Sequence, residues 1–178
     1  EYLELALRQF HQADNMTDSQ AALTLIVHSG FKQQAGEVLD DFYQRWQNES
    51  LVVNQWLAVQ ASDPEEGALA RVQALQQHPA YDGANPNKIR SLISVFCAQN
   101  MLNFHNSDGS GYRFLADQII VLNKQNPQIA SRLLTPLTCW KRYPSERSAL
   151  MRAELERINS SGELSRDVFE VLTKSLAG

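Results

Sequence analysis

The chain has 178 residues, 43% apolar and 20% charged, a length and mix that leave room for a hydrophobic core and do not fit a disordered or fibrous chain. Sixteen Lys and Arg against twenty Asp and Glu give a formal charge of -4, which argues against a protein whose main work is coating nucleic acid or an anionic membrane. No apolar run approaches the roughly 20 residues needed to span a bilayer, and Glu1–Asp14 lacks the basic start and cleavage motif of a signal peptide.

Periodicity predicts helix almost everywhere. Tyr2, Leu3, Ala6, Leu7 and Phe10 recur at i, i+3 and i+4 spacing and predict a helix over 2–13. Thr17 with Gln20 reads as a capping box, in which each side chain serves the other's amide, and opens a helix over 17–29. Helices over 31–48 and 50–61 follow. Asp63-Pro64, Asn85-Pro86 and Asn126-Pro127 each place a capping side chain before a proline, whose fixed φ and missing amide suit the first helical position. They predict helices over 64–77, 86–100 and 127–140, the last kinked or ended at Pro136. Between them, Met101 to Gly111 reads as a loop, and Asp108-Gly109-Ser110-Gly111-Tyr112 reads as the entry turn of a helix over 110–124 rather than a phosphate cradle. Helices over 144–159 and 165–176 complete about ten. Short connections make successive helices antiparallel neighbours. The expected fold is therefore all-α, with helix pairs stacked as an α-solenoid of the HEAT or armadillo kind, in one all-helical domain over 1–178. No clean internal sequence repeat is visible.

Catalytic machinery is not visible in the residues. Cys97 and Cys139 lie far apart within apolar patterns, so a disulfide framework is not expected and a reducing compartment, the cytoplasm, fits. His11, His28, His78 and His105 are scattered singly, without the paired spacing of a zinc helix. No catalytic residue and no metal ligand is expected in this chain. Charge is uneven: residues 1–67 carry eleven acids and three bases, whereas residues 124–157 carry seven bases and three acids. The C-terminal third is thus the anion-facing part, although intrahelical pairs such as Arg152 with Glu156 account for much of such a run.

Several runs taken together carry a resemblance. Asn15-Met16-Thr17-Asp18 followed by Ala21 to Leu23, Asn85 to Leu92 with Phe96, Phe104-His105, Asp108 to Tyr112, Asn126 to Leu133 and Lys141-Arg142-Tyr143 closely resemble, in order and spacing, the C-terminal helical domain of the bacterial aminopeptidase N family. The resemblance covers essentially the whole chain. It implies the C-terminal part of a larger multidomain zinc metallo-aminopeptidase of gluzincin type (the membrane alanyl aminopeptidase class), which removes residues one at a time from peptide N-termini. Its zinc belongs to the catalytic domain, so this chain alone would bind none and be inactive. Its partners would be that catalytic domain and the peptide substrate, with no nucleic acid and no membrane span. The family's helical domain is longer, so Glu1 is expected to fall partway through it, and the exposed cut edge is expected to make the isolated chain self-associate.

In that family the helical domain closes over the catalytic domain and encloses a chamber. By the same resemblance, the segment Asn126 to Leu133 points Gln128 and Arg132 into the chamber as substrate-binding residues, with Arg90 as a neighbour. Spacing independently puts Gln128 and Arg132 on one helix face, offset by about 100° from the stripe of Ile129, Leu133 and Leu137. The alternative is a free-standing helical-repeat scaffold that binds a protein partner without catalysis.

Overall fold

The structure is a computed structural model and describes residues 1–177. Among these there is no strand, so the chain is all-α as expected. Its contacts divide into two compact units, Glu1–Phe96 and a second from Cys97 onward, a boundary that the reading of one domain over 1–178 does not draw.

In the first unit, α1 (Tyr2–Gln12), α2 (Met16–Val27), α3 (Lys32–Trp46), α4 (Ser50–Ala61) and α5 (Ala68–Leu75) pack each against the next. Each hides one stripe. Ala6 and Phe10 of α1, Leu23 and Ile26 of α2, Val38 and Phe42 of α3, and Val53 and Leu57 of α4 are all buried. Full burial of a Leu, Ile or Phe contributes roughly 1.5–3 kcal/mol before conformational entropy is set against it. Two ring nitrogens are matched at the helix crossings: Trp56 Nε1 donates to the Leu39 carbonyl at 3.0 Å, and His28 Nε2 meets the Val59 carbonyl at 3.0 Å.

Two helix starts differ from expectation. The cap of α2 is Asn15, not Thr17: Asn15 Oδ1 accepts from the Asp18 amide at 2.9 Å, while Asn15 Nδ2 donates to the Asp18 carboxylate at 2.9 Å. Half of the box forms, two residues earlier: the Asp18 carboxylate meets the Asn15 side chain rather than its backbone amide. Asp63-Pro64 does not start a helix, and α5 begins only at Ala68. Arg71 draws the Asp63 carboxylate into an ion pair at 2.6 Å, and the other carboxylate oxygen accepts from the Glu65 amide at 3.1 Å. The capping oxygens are thereby spent on a turn, which closes at Gly67 with φ +83°.

Asn85-Pro86 does cap as expected, with Asn85 Oδ1 accepting from the Asn87 amide at 2.9 Å. The helix it opens is not uniform. After the single turn α6 (Pro86–Ile89), residues Arg90–Ser94 form a π-helical turn before α7 (Val95–Gln99) resumes the α pitch. Packing explains why the widened turn persists: Ile89, Leu92, Ile93 and Phe96 are fully buried, and the π turn lies against α4 and α5.

In the second unit, α8 (Met101–Phe104) is a helical turn within the stretch read as a loop. Asn100 caps it, accepting from the Asn103 amide at 3.3 Å, and the fully buried Phe104 anchors it. α9 (Ser110–Gln125) begins, as expected, from the Asp108-Gly109 turn, with Gly109 at φ +69° and the Ser110 amide bonded to Asp108 Oδ1 at 2.8 Å. α10 (Pro127–Leu133) is capped by Asn126, which accepts from the Ile129 amide at 3.2 Å. Near Pro136 the helix gives way, as anticipated, to the single turn α11 (Thr135–Thr138) and a 3-10 turn, Trp140–Arg142. α12 (Ser145–Asn159) and α13 (Arg166–Ala177) follow, and α9 packs on α10 and α12 while α13 packs on α10 and α12. Buried Asn123 ties α9 to the turn before α13, donating to the Glu163 carbonyl at 3.0 Å and accepting from the Ser165 amide at 2.9 Å.

Gly111 is where α8 and α9 come closest: a Cβ there would collide with the Phe104 backbone carbonyl, a group with no freedom to move aside. We expect Gly111→Ala to cost about 1–3 kcal/mol, read as a lower urea midpoint at unchanged slope. An unchanged midpoint would contradict this packing.

Candidate functional site

Gln128 and Arg132 stand one turn apart on the exposed face of α10, while Ile129 and Leu133 face the core at 5% and 3% exposure. The Asn126 cap and Pro127 set this phase, since the start of a short helix decides which way each later side chain points. Among the described residues, the Arg132 guanidinium has neither an ion-pair nor a hydrogen-bond partner within the chain. The nearby hydroxyls are turned to the backbone instead: Ser131 Oγ donates to the Gln128 carbonyl at 3.0 Å and Thr135 Oγ1 to the Arg132 carbonyl at 2.9 Å. The face therefore offers an amide and an unneutralised guanidinium, groups suited to carboxylates and peptide carbonyls.

Arg90 lies in the first unit, at the start of the π turn, and is exposed. Its Nη1 donates to Asn87 Oδ1 at 2.9 Å. Its neighbour Lys88 is buried at 7% exposure, with Nζ 3.5 Å from the Ser50 carbonyl, and burial lowers its pKa.

The remaining basic residues of the C-terminal third are largely engaged. Arg152 pairs with Glu156 at 2.9 Å, as the spacing predicts, and Arg157 pairs with Glu154 at 2.6 Å and Asp117 at 2.8 Å. Lys141 and Arg152 also lie over the Trp140 ring, at 5.1 and 5.5 Å from its centroid.

Other chemistry-bearing groups are absorbed by structure. His28 Nε2 faces a backbone carbonyl, so it carries the proton and cannot take one from Ser62 Oγ 3.4 Å away. A cleft of about 270 Å³ beside the α2–α3 turn is walled by Val27, Ala35, Leu39 and the Asp63–Arg71 pair, whose charges already meet each other. No group of three or more His, Cys, Asp or Glu side chains that could hold a metal exists among the described residues. Cys97 and Cys139 are free thiols, and burial raises the pKa of Cys97 well above its ordinary value. No described helix is long and apolar enough to cross a membrane.

Sequence reasoning missed the cluster around His105. Its Nδ1 is hydrogen-bonded to Tyr112 Oη at 2.8 Å and its Nε2 to Tyr143 Oη at 3.1 Å, with the Tyr143 ring stacked on it at 4.6 Å. Arg147 Nε donates to the His105 carbonyl at 3.1 Å. The Lys141-Arg142-Tyr143 run gave a motif but no hint of this contact, because the partners lie 38 residues apart in sequence.

Comparison with known proteins gives a consistent result. Residues 1–177 match a family model described as a domain of unknown function (DUF3458_C), ARM repeats. Aminopeptidase N of Escherichia coli is 42% identical over 97% of this chain, and aminopeptidase N of Caulobacter vibrioides is 43% identical over 99% of it, each match covering 20% of the relative. The crystal structure of Legionella pneumophila aminopeptidase A in complex with aspartic acid superposes with a TM-score of 0.92 at 34% identity, over 98% of this chain and 20% of that one. The chain thus spans about a fifth of the length of the relatives it matches.

Burial first, then the Arg147 charge, lowers the pKa of His105 from its ordinary 6.5, while burial raises that of Tyr112. Folding thus favours neutral His105, so its contribution to stability is complete above 6.5 and is lost as pH falls through the lower folded-state value. We expect the His105 ring, followed by NMR, to titrate with a midpoint below 6.5; a midpoint above it would contradict the cluster.

Proposed function

Since the chain belongs to the DUF3458_C family of ARM-repeat domains and its relatives are aminopeptidases, we propose that it is the C-terminal cap of a zinc aminopeptidase that hydrolyses N-terminal residues from peptides. In this reading the cap closes over the catalytic domain of the same polypeptide, encloses the active-site chamber and contributes Arg132, Gln128 and Arg90 to the substrate wall. The zinc belongs to the catalytic domain. Among the described residues no group of His, Cys, Asp and Glu side chains fits a zinc site, and in this reading the chain alone is inactive. The two free thiols support a cytoplasmic setting.

The observation that carries the proposal is the exposed, unneutralised guanidinium of Arg132 one turn from Gln128, on a helix whose phase is locked by its cap. A peptide held by its N-terminus at the metal trails carbonyls and a carboxylate away from it. A planar guanidinium can receive these with two parallel hydrogen bonds.

In the full-length enzyme, Arg132→Ala should raise KM for di- and tripeptides by about tenfold, equivalent to about 1.4 kcal/mol, a value within the range of one charge-assisted hydrogen bond. The KM of a chromogenic single-residue substrate should change little. Equal effects on both substrates would sink the assignment.

The rest of the polypeptide also accounts for an apolar surface. Tyr2, Leu5, Leu25 and Phe31 are exposed and line a groove of about 370 Å³ against α1 and α2. In our reading this groove is covered by other parts of the aminopeptidase, which are four-fifths of the relatives' length. The isolated chain should then self-associate with rising concentration, and sedimentation as a strict monomer at high concentration would count against it.

A further inference from the structure

Arginines in this chain are held in several ways, Arg113 and Arg147 by the backbone carbonyls of Asp108 and His105. Arg45, Arg71, Arg152 and Arg157 each pair with carboxylates, Asp41, Asp63, Glu156 and Glu154 respectively, so their charge is neutralised where it stands. Arg90 is held instead by a neutral amide, with Nη1 donating to Asn87 Oδ1 at 2.9 Å.

Asn87 is well fixed for that task. Its amide donates to Asn85 Oδ1 at 2.9 Å, and its carbonyl accepts both the Ser91 hydroxyl at 2.7 Å and the Arg90 backbone N–H. Its backbone is thereby fixed one turn before Arg90, where the α pitch widens into the π turn Arg90–Ser94, and its side-chain oxygen meets the guanidinium from there. The amide occupies one nitrogen of the guanidinium fork and leaves the remaining donors and the full positive charge for a ligand. A carboxylate in its place would orient the fork equally well and cancel that charge.

We infer that Asn87 is a positioning residue, which presets the Arg90 guanidinium to receive the carboxylate or downstream carbonyls of a short peptide. This rests on the reading of Arg90 as a substrate-facing residue. Asn87 touches no substrate; it acts only through Arg90, by removing rotamers that the long side chain would otherwise sample on binding.

The test is a double-mutant cycle in the full-length enzyme, with steady-state kinetics on a tripeptide with a free carboxylate and on a chromogenic single-residue amide. Arg90→Ala should raise the tripeptide KM by about five- to tenfold, and Asn87→Ala by about threefold, the size of one neutral hydrogen bond. For Asn87→Ala, kcat and the chromogenic KM should stay unchanged. Asn87→Ala added to Arg90→Ala should raise KM no further. The melting temperature of Asn87→Ala, an exposed substitution, should match that of the parent and so separate positioning from folding. The inference is overturned if Asn87→Ala leaves the tripeptide KM unchanged while Arg90→Ala raises it, or if Asn87→Ala acts just as strongly when Arg90 is absent. Arg90→Ala without effect on the tripeptide would instead overturn the substrate-facing reading itself, and this inference with it.

Discussion

Where a helix begins decides which of its side chains reach solvent, and an Asn-Pro pair decides this in each unit. The Asn oxygen satisfies an amide that the first turn leaves without a carbonyl, while the proline supplies no amide there and already holds a helical φ. With the start of α10 fixed at Pro127, Ile129 and Leu133 turn inward and Gln128 and Arg132 turn outward. A slip of one residue would rotate the set by about 100°, carrying Arg132 toward the core and Ile129 toward water. Both moves are unfavourable: a guanidinium entering an apolar core loses its hydration without gaining a partner, and the isoleucine gives up its burial. The cap and the apolar stripe therefore enforce the same register from opposite sides. The same logic fixes Asn87 and Arg90 after Asn85-Pro86.

These features were legible in the sequence because they are local. A capping residue, a proline and a 3.6-residue stripe all lie within one or two turns. Long-range partners explain where the reading failed. Asp63-Pro64 has the same local chemistry as Asn85-Pro86, yet Arg71 claims its carboxylate and the chain turns instead of coiling. Asp63 Oδ1 accepts from the amide two residues on, as Asn85 Oδ1 does, and the difference is that Arg71 holds the second carboxylate oxygen where the chain turns through Gly67. Met101–Phe104 reads as a loop from its asparagines, but Asn100 caps a turn there and the burial of Phe104 holds it. The π turn has no local sequence sign at all; it belongs to the packing of Leu92 and Ile93 against neighbouring helices.

Much the same holds for the candidate site. Spacing alone put Gln128 and Arg132 on one face, and that face is exposed. The role proposed for that face rests on resemblance, since an exposed arginine on a helix carries no label. The tie between Asn87 and Arg90 and the bonds of His105 to Tyr112 and Tyr143 needed atomic positions. Three residues separate Asn87 from Arg90, a spacing shared by countless helical pairs without a hydrogen bond.

The partners of the ionisable groups also bear on what kind of work this chain can do. His28 is pinned by a carbonyl, His105 by two phenols, Cys97 is buried, and Asp63 with Arg71, Arg157 with Glu154 and Arg45 with Asp41 pair within the chain. General acid–base or nucleophilic chemistry needs a group that is accessible, correctly protonated and supported by a partner that shifts its proton affinity. None of these groups meets all three conditions. Binding asks for less: an exposed guanidinium with an unneutralised charge and a fixed origin suffices, and Arg132 and Arg90 both have that. The proposed cap would leave proton transfer and metal chemistry to another part of the polypeptide and itself hold the trailing end of the substrate. Binding gained there raises kcat/KM for a longer peptide through KM, without any group that touches the scissile bond.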